Sequence, residues 1–221
     1  MKILAIDTTT EACSAALHID GETSEKYDVV PRKHAELILP MIDSLLAESE
    51  LPLSNLDGIA FACGPGAFTG VRLCTSVAQG LAYSVDLPLV SVSTLATLAQ
   101  GAPAKAENIL SMLDARMGEI YWGAFVRENN KLVRSTSKEQ VCSPDSFLVE
   151  AGGPFHVIGP GWAKYMETLT DKLNSKIAGT SPDLFPRARH LMEIALGKFA
   201  DGDSSDARHA TPTYIRDKVT S

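Results

Sequence analysis

Two short stretches of this sequence combine residue types that can bind a phosphate group. The first is Asp7-Thr8-Thr9-Thr10, which follows the apolar run of residues 2–6 and so stands where a predicted strand ends. In a turn at that place, threonine hydroxyls and backbone N–H groups can hold a phosphate, and the carboxylate of Asp7 can hold a metal-bound water. The same residue types also build tight turns without binding anything, so a purely structural role stays open.

The second stretch is the glycine-rich loop Gly64-Pro65-Gly66-Ala67-Phe68-Thr69-Gly70. It is predicted to lead from a buried strand to the N-terminus of a helix, where backbone N–H groups and the helix dipole favour an anion. A tight turn that lets the helix pack closely is the alternative. Arg72 follows one turn into the helix, where it could clamp an anion, pair with a partner's carboxylate or lie free on the surface. The loop matches neither the dinucleotide fingerprint nor the phosphate loop of known nucleotide-binding motifs.

Residues that could carry out catalysis unaided are not evident. The five histidines include no pair spaced i+3 or i+4, so no zinc-binding helix face is predicted. The sequence contains no G-x-S-x-G nucleophile elbow. Its four cysteines form no C-x-x-C pair, and we expect them to be reduced and buried, as is typical of cytoplasmic proteins. We therefore predict no catalytic residue and no metal site.

The composition is that of an ordinary folded protein with an acidic balance. The 221 residues are 45% hydrophobic and 21% charged, with 20 Lys and Arg against 27 Asp and Glu, which gives a formal net charge of −7. This excludes wholesale disorder and argues against unaided binding of a nucleic-acid backbone, which needs clustered cations. No apolar run is long enough for a secretory signal or a membrane span, so we expect a cytoplasmic protein.

Alternating strands and helices must position these candidates. The chain opens as a β-meander with the hairpin signal Asp20-Gly21, and residues 34–49 then carry one apolar helical stripe. The remaining segments follow the same periodicity rules. Strands are predicted at residues 57–63, 88–92, 108–113, 119–127 and 156–158, and Asn129-Asn130 is predicted to turn the chain into residues 131–135. Helices are predicted at residues 69–85 (capped by Thr69), 93–100, 144–149, 162–173 and 186–200.

Two echoes in the sequence indicate that one unit is present twice. Ile3-Leu4-Ala5-Ile6-Asp7 resembles residues 109–114, and Gly64-Pro65-Gly66 recurs as Gly159-Pro160-Gly161 in the same predicted context. Chance is the alternative, because glycine and proline are common in loops. A duplicated β-meander followed by alternating helices and strands predicts a two-lobed α/β fold, the architecture of actin, hexokinase and Hsp70. We place the N-terminal, partner-binding lobe at residues 1–103 and the C-terminal lobe at residues 104–221.

Several strings resemble the bacterial TsaB (YeaZ) family, and they extend over nearly the whole chain. They are Ile6-Asp7-Thr8-Thr9, His34-Ala35-Glu36-Leu37-Ile38-Leu39-Pro40, the loop from Gly64 to Arg72, Asp114-Ala115-Arg116-Met117-Gly118-Glu119-Ile120-Tyr121 and Pro212-Thr213-Tyr214-Ile215-Arg216. The string G-P-G-x-F-T-G-x-R is specific, and its combination with D-A-R-x-G-E-x-Y is more specific still.

The resemblance implies a function in tRNA modification. Members of the family look like non-catalytic paralogues of TsaD, which transfers threonylcarbamoyl from threonylcarbamoyl-AMP to N6 of adenosine 37 in tRNAs that read codons beginning with A. TsaD carries a metal-binding H-x-x-x-H motif, whereas the corresponding residues 92–98 here contain no histidine, and Ser or Thr cannot replace imidazole as a ligand. The resemblance thus implies a scaffold that works with TsaD and the ATPase TsaE, forms a homodimer when alone, and reaches tRNA only through the complex.

The resemblance also implies that helices of the N-terminal lobe pair with TsaD. The candidate contact residues lie in the two predicted helices at residues 34–49 and 69–85. They are His34, Ile38, Met41, Leu45, Thr69 and Arg72. The apolar stripes of these helices can also serve the chain's own core. We expect charge reversal at Arg72 or Leu45→Asp to weaken the complex more than it unfolds the chain.

Two other classes of function compete with this one. An ATP-binding small-molecule kinase or ATPase of the same fold would bind ATP or ADP at Asp7, Thr8, Thr9, Gly64 and Gly66. Its base in the second lobe would be Asp114, by position. A metallopeptidase is the third class, and the sequence argues against it because neither a nucleophile nor a metal site is found.

Overall fold

A computed structural model describes residues 1–127, 132–149 and 152–216. The first half of the chain builds a five-stranded sheet. Its strands are β1 (Lys2–Asp7), β2 (Ala12–Ile19), β3 (Glu22–Val29), β4 (Gly58–Gly64) and β5 (Leu89–Ser93). They lie in the order β3-β2-β1-β4-β5, with β1, β2 and β3 antiparallel and β4 and β5 parallel to β1. The predicted opening β-meander is therefore confirmed.

The second half builds a sheet of the same design. Its strands are β6 (Asn108–Arg116), β7 (Glu119–Arg127), β8 (Val133–Ser135), β9 (Gln140–Cys142), β10 (Phe155–Ile158) and β11 (Ile177–Ser181). Strand order is β8-β7-β6-β10-β11, and β9 also pairs with β7. Here too the first strands pair antiparallel, whereas β10 and β11 run parallel to β6. The two sheets thus repeat one topology, and the predicted two-lobed fold of the actin, hexokinase and Hsp70 type is confirmed.

In the described part of the chain, six α-helices cover the sheets. They are α1 (His34–Glu48), α2 (Phe68–Ser84), α3 (Thr94–Gln100), α4 (Pro160–Lys164), α5 (Met166–Leu173) and α6 (Ala188–Ala200). Short 3₁₀ helices lie at Leu53–Asn55, Pro144–Ser146, Asn174–Lys176 and Ala207–His209. In α1 the buried side chains recur at Ile38, Ile42 and Leu45, which places one face of the helix on the first sheet.

Each half of the chain contributes one helix to the core of the other half. Leu95 and Leu98 of α3 pack with Ile109 of the second sheet, whereas Leu191 and Met192 of α6 pack in the core of the first sheet. The predicted boundary after residue 103 therefore separates the two sheets but not their helices. The physical reason is that a helix buries its apolar stripe against whichever sheet face it reaches, whatever its place in the sequence.

Several elements differ from the predicted ones. Helix α2 begins at Phe68, and its N-cap residue is Ala67, so Thr69 lies inside the helix and does not cap it. The N–H of Ala67 donates to the Thr9 carbonyl at 2.8 Å. The single helix predicted at residues 162–173 is two helices, which meet at Tyr165, where φ is −121°. The segment predicted as a helix at residues 144–149 is a 3₁₀ turn followed by non-helical chain. Strands β9 and β11 were not predicted. The turn predicted at residues 129–130 lies outside the described residues.

Candidate functional site

The turn after β1 is closed on itself. Asp7, Thr8 and Thr9 are 1%, 0% and 0% exposed. One oxygen of Asp7, Oδ1, accepts hydrogen bonds from the backbone N–H of Thr9 at 2.8 Å and from its hydroxyl at 2.7 Å. The hydroxyl of Thr8 donates to the carbonyl of Gly70 at 2.8 Å. The hydroxyls that could have met a phosphate are therefore bonded to the protein.

The glycine-rich loop lies directly against this turn. A Cβ atom on Gly66 would fall inside van der Waals contact with the Thr9 carbonyl oxygen, and one on Gly70 would do the same with the Thr8 carbonyl oxygen. Gly64, at φ 109°, adopts a backbone conformation that L side chains rarely adopt. These positions need glycine because two backbones touch. The two predicted phosphate-binding stretches therefore lie in contact, each packed against the backbone of the other.

The second lobe repeats this contact. Gly159 and Gly161 lie just after β10, as Gly64 and Gly66 lie at and just after the end of β4, and Gly159 has φ 100°. A Cβ on Gly161 would lie 2.7 Å from the backbone of Leu113, near the end of β6. The glycine echo seen in the sequence therefore marks equivalent places in the two lobes, where a helix start packs on a central strand.

The carboxyl group of Asp7 lies in an unusual electrostatic environment. Burial raises the pKa of Asp7 to about 6, although the two hydrogen bonds from Thr9 oppose that rise. Its second oxygen, Oδ2, is buried and has no hydrogen-bond partner among the described residues. A carboxyl group in this state is a source of strain in the fold at neutral pH rather than an exposed ligand for a metal-bound water.

A cavity of about 560 Å³ opens between the lobes, next to the glycine loop. Three segments that are distant in sequence line it. They are residues 65–72 of the loop and α2, residues 114–116 with Tyr121 of the β6–β7 hairpin, and residues 213–216. Three of the five family-like strings therefore converge on one cavity, which makes it the candidate functional site.

The C-terminal segment joins both walls of this cavity. On the first lobe, Thr213 donates its backbone N–H to the Cys63 carbonyl at 2.7 Å. On the second lobe, Arg216 donates to the Ala115 carbonyl at 3.2 Å and pairs with Glu119. Between these anchors, the Tyr214 hydroxyl accepts a 2.9 Å hydrogen bond from Nε of Arg72. The segment thus crosses from one lobe to the other along the cavity.

The predicted partner-contact residues divide by burial. Ile38 and Leu45 are 0% and 1% exposed and belong to the core of the first sheet, so the expectation that they contact a partner is corrected. Met41 and His34 are half-buried, and only Thr69 and Arg72 are exposed. Sequence periodicity could not separate these residues, because one apolar stripe serves either a core or an interface equally well.

The structure adds residues that sequence reasoning did not select as site residues. Tyr214, Glu119 and Arg216 line or brace the cavity, and their only signal in the sequence was membership of the family-like strings. Within residues 1–127, 132–149 and 152–216, no group of three or more His, Cys, Asp or Glu side chains could hold a metal ion. Over the same ranges, every helix is too short or too polar to cross a lipid bilayer.

Comparison with known proteins agrees with this geometry. Residues 21–220 match the sequence model of the family described as "TsaD: tRNA N6-adenosine threonylcarbamoyltransferase". The chain is 38% identical over 224 residues to the tRNA threonylcarbamoyladenosine biosynthesis protein TsaB of Escherichia coli K12, covering 99% of this chain and 96% of that protein. It is 39% identical over 231 residues to TsaB of Haemophilus influenzae, covering 100% of this chain and 95% of that protein.

Solved structures agree as well. The fold superposes on YeaZ from Pseudomonas aeruginosa with a TM-score of 0.89 at 38% identity, covering 97% of this chain and 99% of that one. It superposes equally on an uncharacterized protein with similarity to peptidase YeaZ from P. aeruginosa, with a TM-score of 0.90 at 39% identity and the same coverage. Sequence and fold agree over nearly the whole chain, and the chain belongs to the TsaB (YeaZ) family.

Proposed function

We propose that this chain is a non-catalytic subunit in the biosynthesis of threonylcarbamoyladenosine in tRNA. It acts as a scaffold or activator that is required together with TsaD and the ATPase TsaE when TsaD transfers threonylcarbamoyl from threonylcarbamoyl-AMP to N6 of adenosine 37. Relatives that match the chain over nearly their whole length carry the name tRNA threonylcarbamoyladenosine biosynthesis protein TsaB, which supports this assignment.

The observation that carries the non-catalytic part is the packing of the glycine loop on the β1 turn. Gly66 and Gly70 touch the backbone of Thr9 and Thr8, and the Thr8 hydroxyl is bonded to Gly70. Residues that a kinase or ATPase of this fold would direct at a nucleotide are instead bonded to each other. A fold that keeps its two lobes while closing this site is suited to binding a partner protein.

The proposed partner surface lies on the exposed sides of α1 and α2. Thr69 and Arg72 are exposed there, and the same two helices expose the large apolar side chains Leu39 and Tyr83, at 47% and 69%. We propose that this surface pairs with TsaD, and that it closes a homodimer when TsaD is absent. With a net charge of −7, the chain reaches tRNA through the complex and not by itself.

Reconstitution of the modification tests the proposal. TsaD, TsaE, the synthase that makes threonylcarbamoyl-AMP, ATP, threonine, bicarbonate and tRNA are combined with and without this chain, and the modified nucleoside is measured by mass spectrometry. We expect product only when the chain is present. Full activity in its absence contradicts the proposal.

Two further measurements separate scaffold from enzyme. Arg72→Glu is expected to weaken binding to TsaD about tenfold in calorimetry. The matched control is Arg208→Glu, at an exposed arginine bonded to Asp206 within its own turn, and it should leave that binding unchanged.

The kinase or ATPase alternative requires the glycine loop to separate from the β1 turn. Calorimetric binding of Mg-ATP by the isolated chain would favour that alternative.

A further inference from the structure

The cavity between the lobes contains an arginine that is held in place but has free donors. The guanidinium carbon of Arg72 lies 3.5 Å from the ring centroid of Phe68 and 5.8 Å from that of Tyr214. Its Nε donates to the Tyr214 hydroxyl at 2.9 Å. None of the described residues accepts a hydrogen bond from its two terminal nitrogens. The Arg72 fork is therefore oriented in advance and presents its outer edge for a ligand.

The other charges of the cavity wall are already paired. Each charged lining side chain except Arg72 has an opposite charge within 3.1 Å. The pairs are Arg116 with Asp114 and Glu11, Lys164 with Asp114, and Arg216 with Glu119. The described lining therefore carries three arginines, Arg72, Arg116 and Arg216, against one carboxylate, Asp114, so cations outnumber carboxylates along the cavity wall. On a chain with a net charge of −7, this local excess is complementary to an anionic ligand group.

The space beside Arg72 is apolar. Val71, Tyr121 and Ile215 line the cavity, whose volume of about 560 Å³ is in the range of ordinary binding cavities. At its rim Phe68 and Tyr214 are 53% and 52% exposed, although both are large aromatic side chains. A ligand that fits must therefore join an anionic group to an apolar one at short distance.

We propose that this cavity binds a segment of a partner protein in which an Asp or Glu carboxylate meets Arg72 and a neighbouring aromatic or aliphatic side chain enters the cavity. A carboxylate can accept two parallel hydrogen bonds from a guanidinium fork, which a point cation cannot offer. Because stacking on Phe68 already fixes the arginine, little side-chain freedom is lost on binding. The existence of a partner protein is taken from the proposed function. The inference adds that the bound segment of this partner contains an acidic residue next to an apolar one.

Tyr214 is a positioning residue in this site. Its hydroxyl holds Nε of Arg72, and its own place is fixed by the contacts of Thr213 with Cys63 and of Arg216 with Ala115. Loss of the hydroxyl leaves the cavity and the stacking on Phe68 in place but removes the hydrogen bond that sets the angle of the guanidinium on the ring. Tyr214→Phe should therefore weaken binding of a carboxylate without affecting a neutral ligand.

Selection from a random peptide library tests the proposal with this chain alone. Displayed 12-residue peptides are selected on the immobilised protein, and enriched sequences are synthesised and titrated by fluorescence anisotropy. We expect sequences that place Asp or Glu within two residues of Phe, Trp, Leu or Met. Replacing the acid by Asn or Gln should weaken binding at least tenfold.

Variants of the chain then locate the site. Arg72→Met should weaken binding at least tenfold, Arg72→Lys about fivefold because the ammonium keeps the charge but not the fork, and Tyr214→Phe about threefold. Arg208→Met, at another exposed arginine, should leave binding unchanged. Thermal unfolding of each variant checks that it is folded, which we expect because the substituted side chains are exposed.

Several results would overturn the inference. These are enrichment that is insensitive to Arg72→Met, enrichment of basic peptides, or no enrichment at all. Peptides that copy this chain's own sequence would identify a second copy of the chain as the occupant instead. Displacement of the peptide by millimolar inorganic phosphate, or by a single-stranded RNA, would identify a simple anion site or a nucleic-acid site. Because no other protein is present, failure here is distinct from failure of the reconstitution.

Discussion

Replacing Asp7 by asparagine should change how the stability of the protein depends on pH. Asp7 is buried at the end of β1, where one carboxyl oxygen accepts both hydrogen bonds from Thr9 and the other has no described partner. Asparagine keeps the accepting oxygen and the shape of the side chain but cannot ionise. The comparison of the two proteins therefore isolates the cost of the buried charge.

The size of the effect follows from the two pKa values. Burial raises the pKa of Asp7 from its ordinary value of 3.8 to about 6 in the folded state, and this difference corresponds to about 3 kcal/mol. Because the folded-state pKa is the higher one, the stabilising effect of the proton is complete below pH 3.8 and is lost as the pH rises through 6. Between pH 4.5 and pH 8, the contribution of Asp7 to the free energy of unfolding should fall by about 2 kcal/mol.

Urea denaturation at pH 4.5 and pH 8 measures this change. The Asp7→Asn amide nitrogen takes the place of the unpartnered oxygen, so it adds a cost of about 1–3 kcal/mol that does not depend on pH. The prediction therefore concerns the change with pH: relative to the wild type, the variant should gain about 2 kcal/mol on going from pH 4.5 to pH 8. Asp43→Asn, at an exposed position of α1, is the control. An equal offset for Asp7→Asn at both pH values would refute the reasoning.

Three further substitutions, at Gly70, Leu45 and His190, test the close packing and the burial of these residues, and the first two have a matched control on the same helix. Gly70→Ala should destabilise the fold by about 1–3 kcal/mol in urea denaturation, because its Cβ meets the β1 turn, whereas Gly80→Ala on the same helix has open space and should stabilise by up to about 1 kcal/mol. Leu45→Asp should unfold the chain, as seen by circular dichroism, because it puts a charge in the core; the exposed Leu39→Asp should change stability by about 0.5 kcal/mol or less. Burial, and secondly the neighbouring arginines, lower the pKa of His190 to about 4, so stability should fall as the pH drops from 6.5 towards 4. His190→Gln should flatten that fall, and an unchanged pH profile would contradict the assignment.

The expectation for Leu45→Asp reverses what the sequence predicts. The apolar stripe of α1 was correctly predicted as one face of the helix. The prediction that Ile38 and Leu45 contact a partner protein was wrong, because both side chains pack on the chain's own sheet. Exposed Leu39 lies on the same helix. Periodicity reports which residues share a face, and only the packed structure reports which face meets the sheet and which remains for a partner.

The duplication shows the opposite case, in which short signals were sufficient. One strand echo, residues 3–7 against residues 109–114, and the repeated Gly-Pro-Gly predicted two lobes, and the two sheets do repeat one strand order. Strand periodicity and glycine loops are local patterns, so they can be recognised from the sequence alone. The exchange of α3 and α6 between the lobes is not local, because it depends on which sheet face each helix reaches, and the predicted boundary after residue 103 missed it.

By itself, the sequence determined most of the helices and strands, the repeat, and the residue types at the end of β1 and in the glycine loop. Tertiary structure alone decided what those residues do. The Thr8 hydroxyl is bonded to Gly70, 62 positions away, and Arg72 is held by Tyr214, 142 positions away. A hydroxyl or a guanidinium binds a ligand only if no nearer group satisfies it, and whether one does depends on contacts between distant residues that the order of the chain does not record.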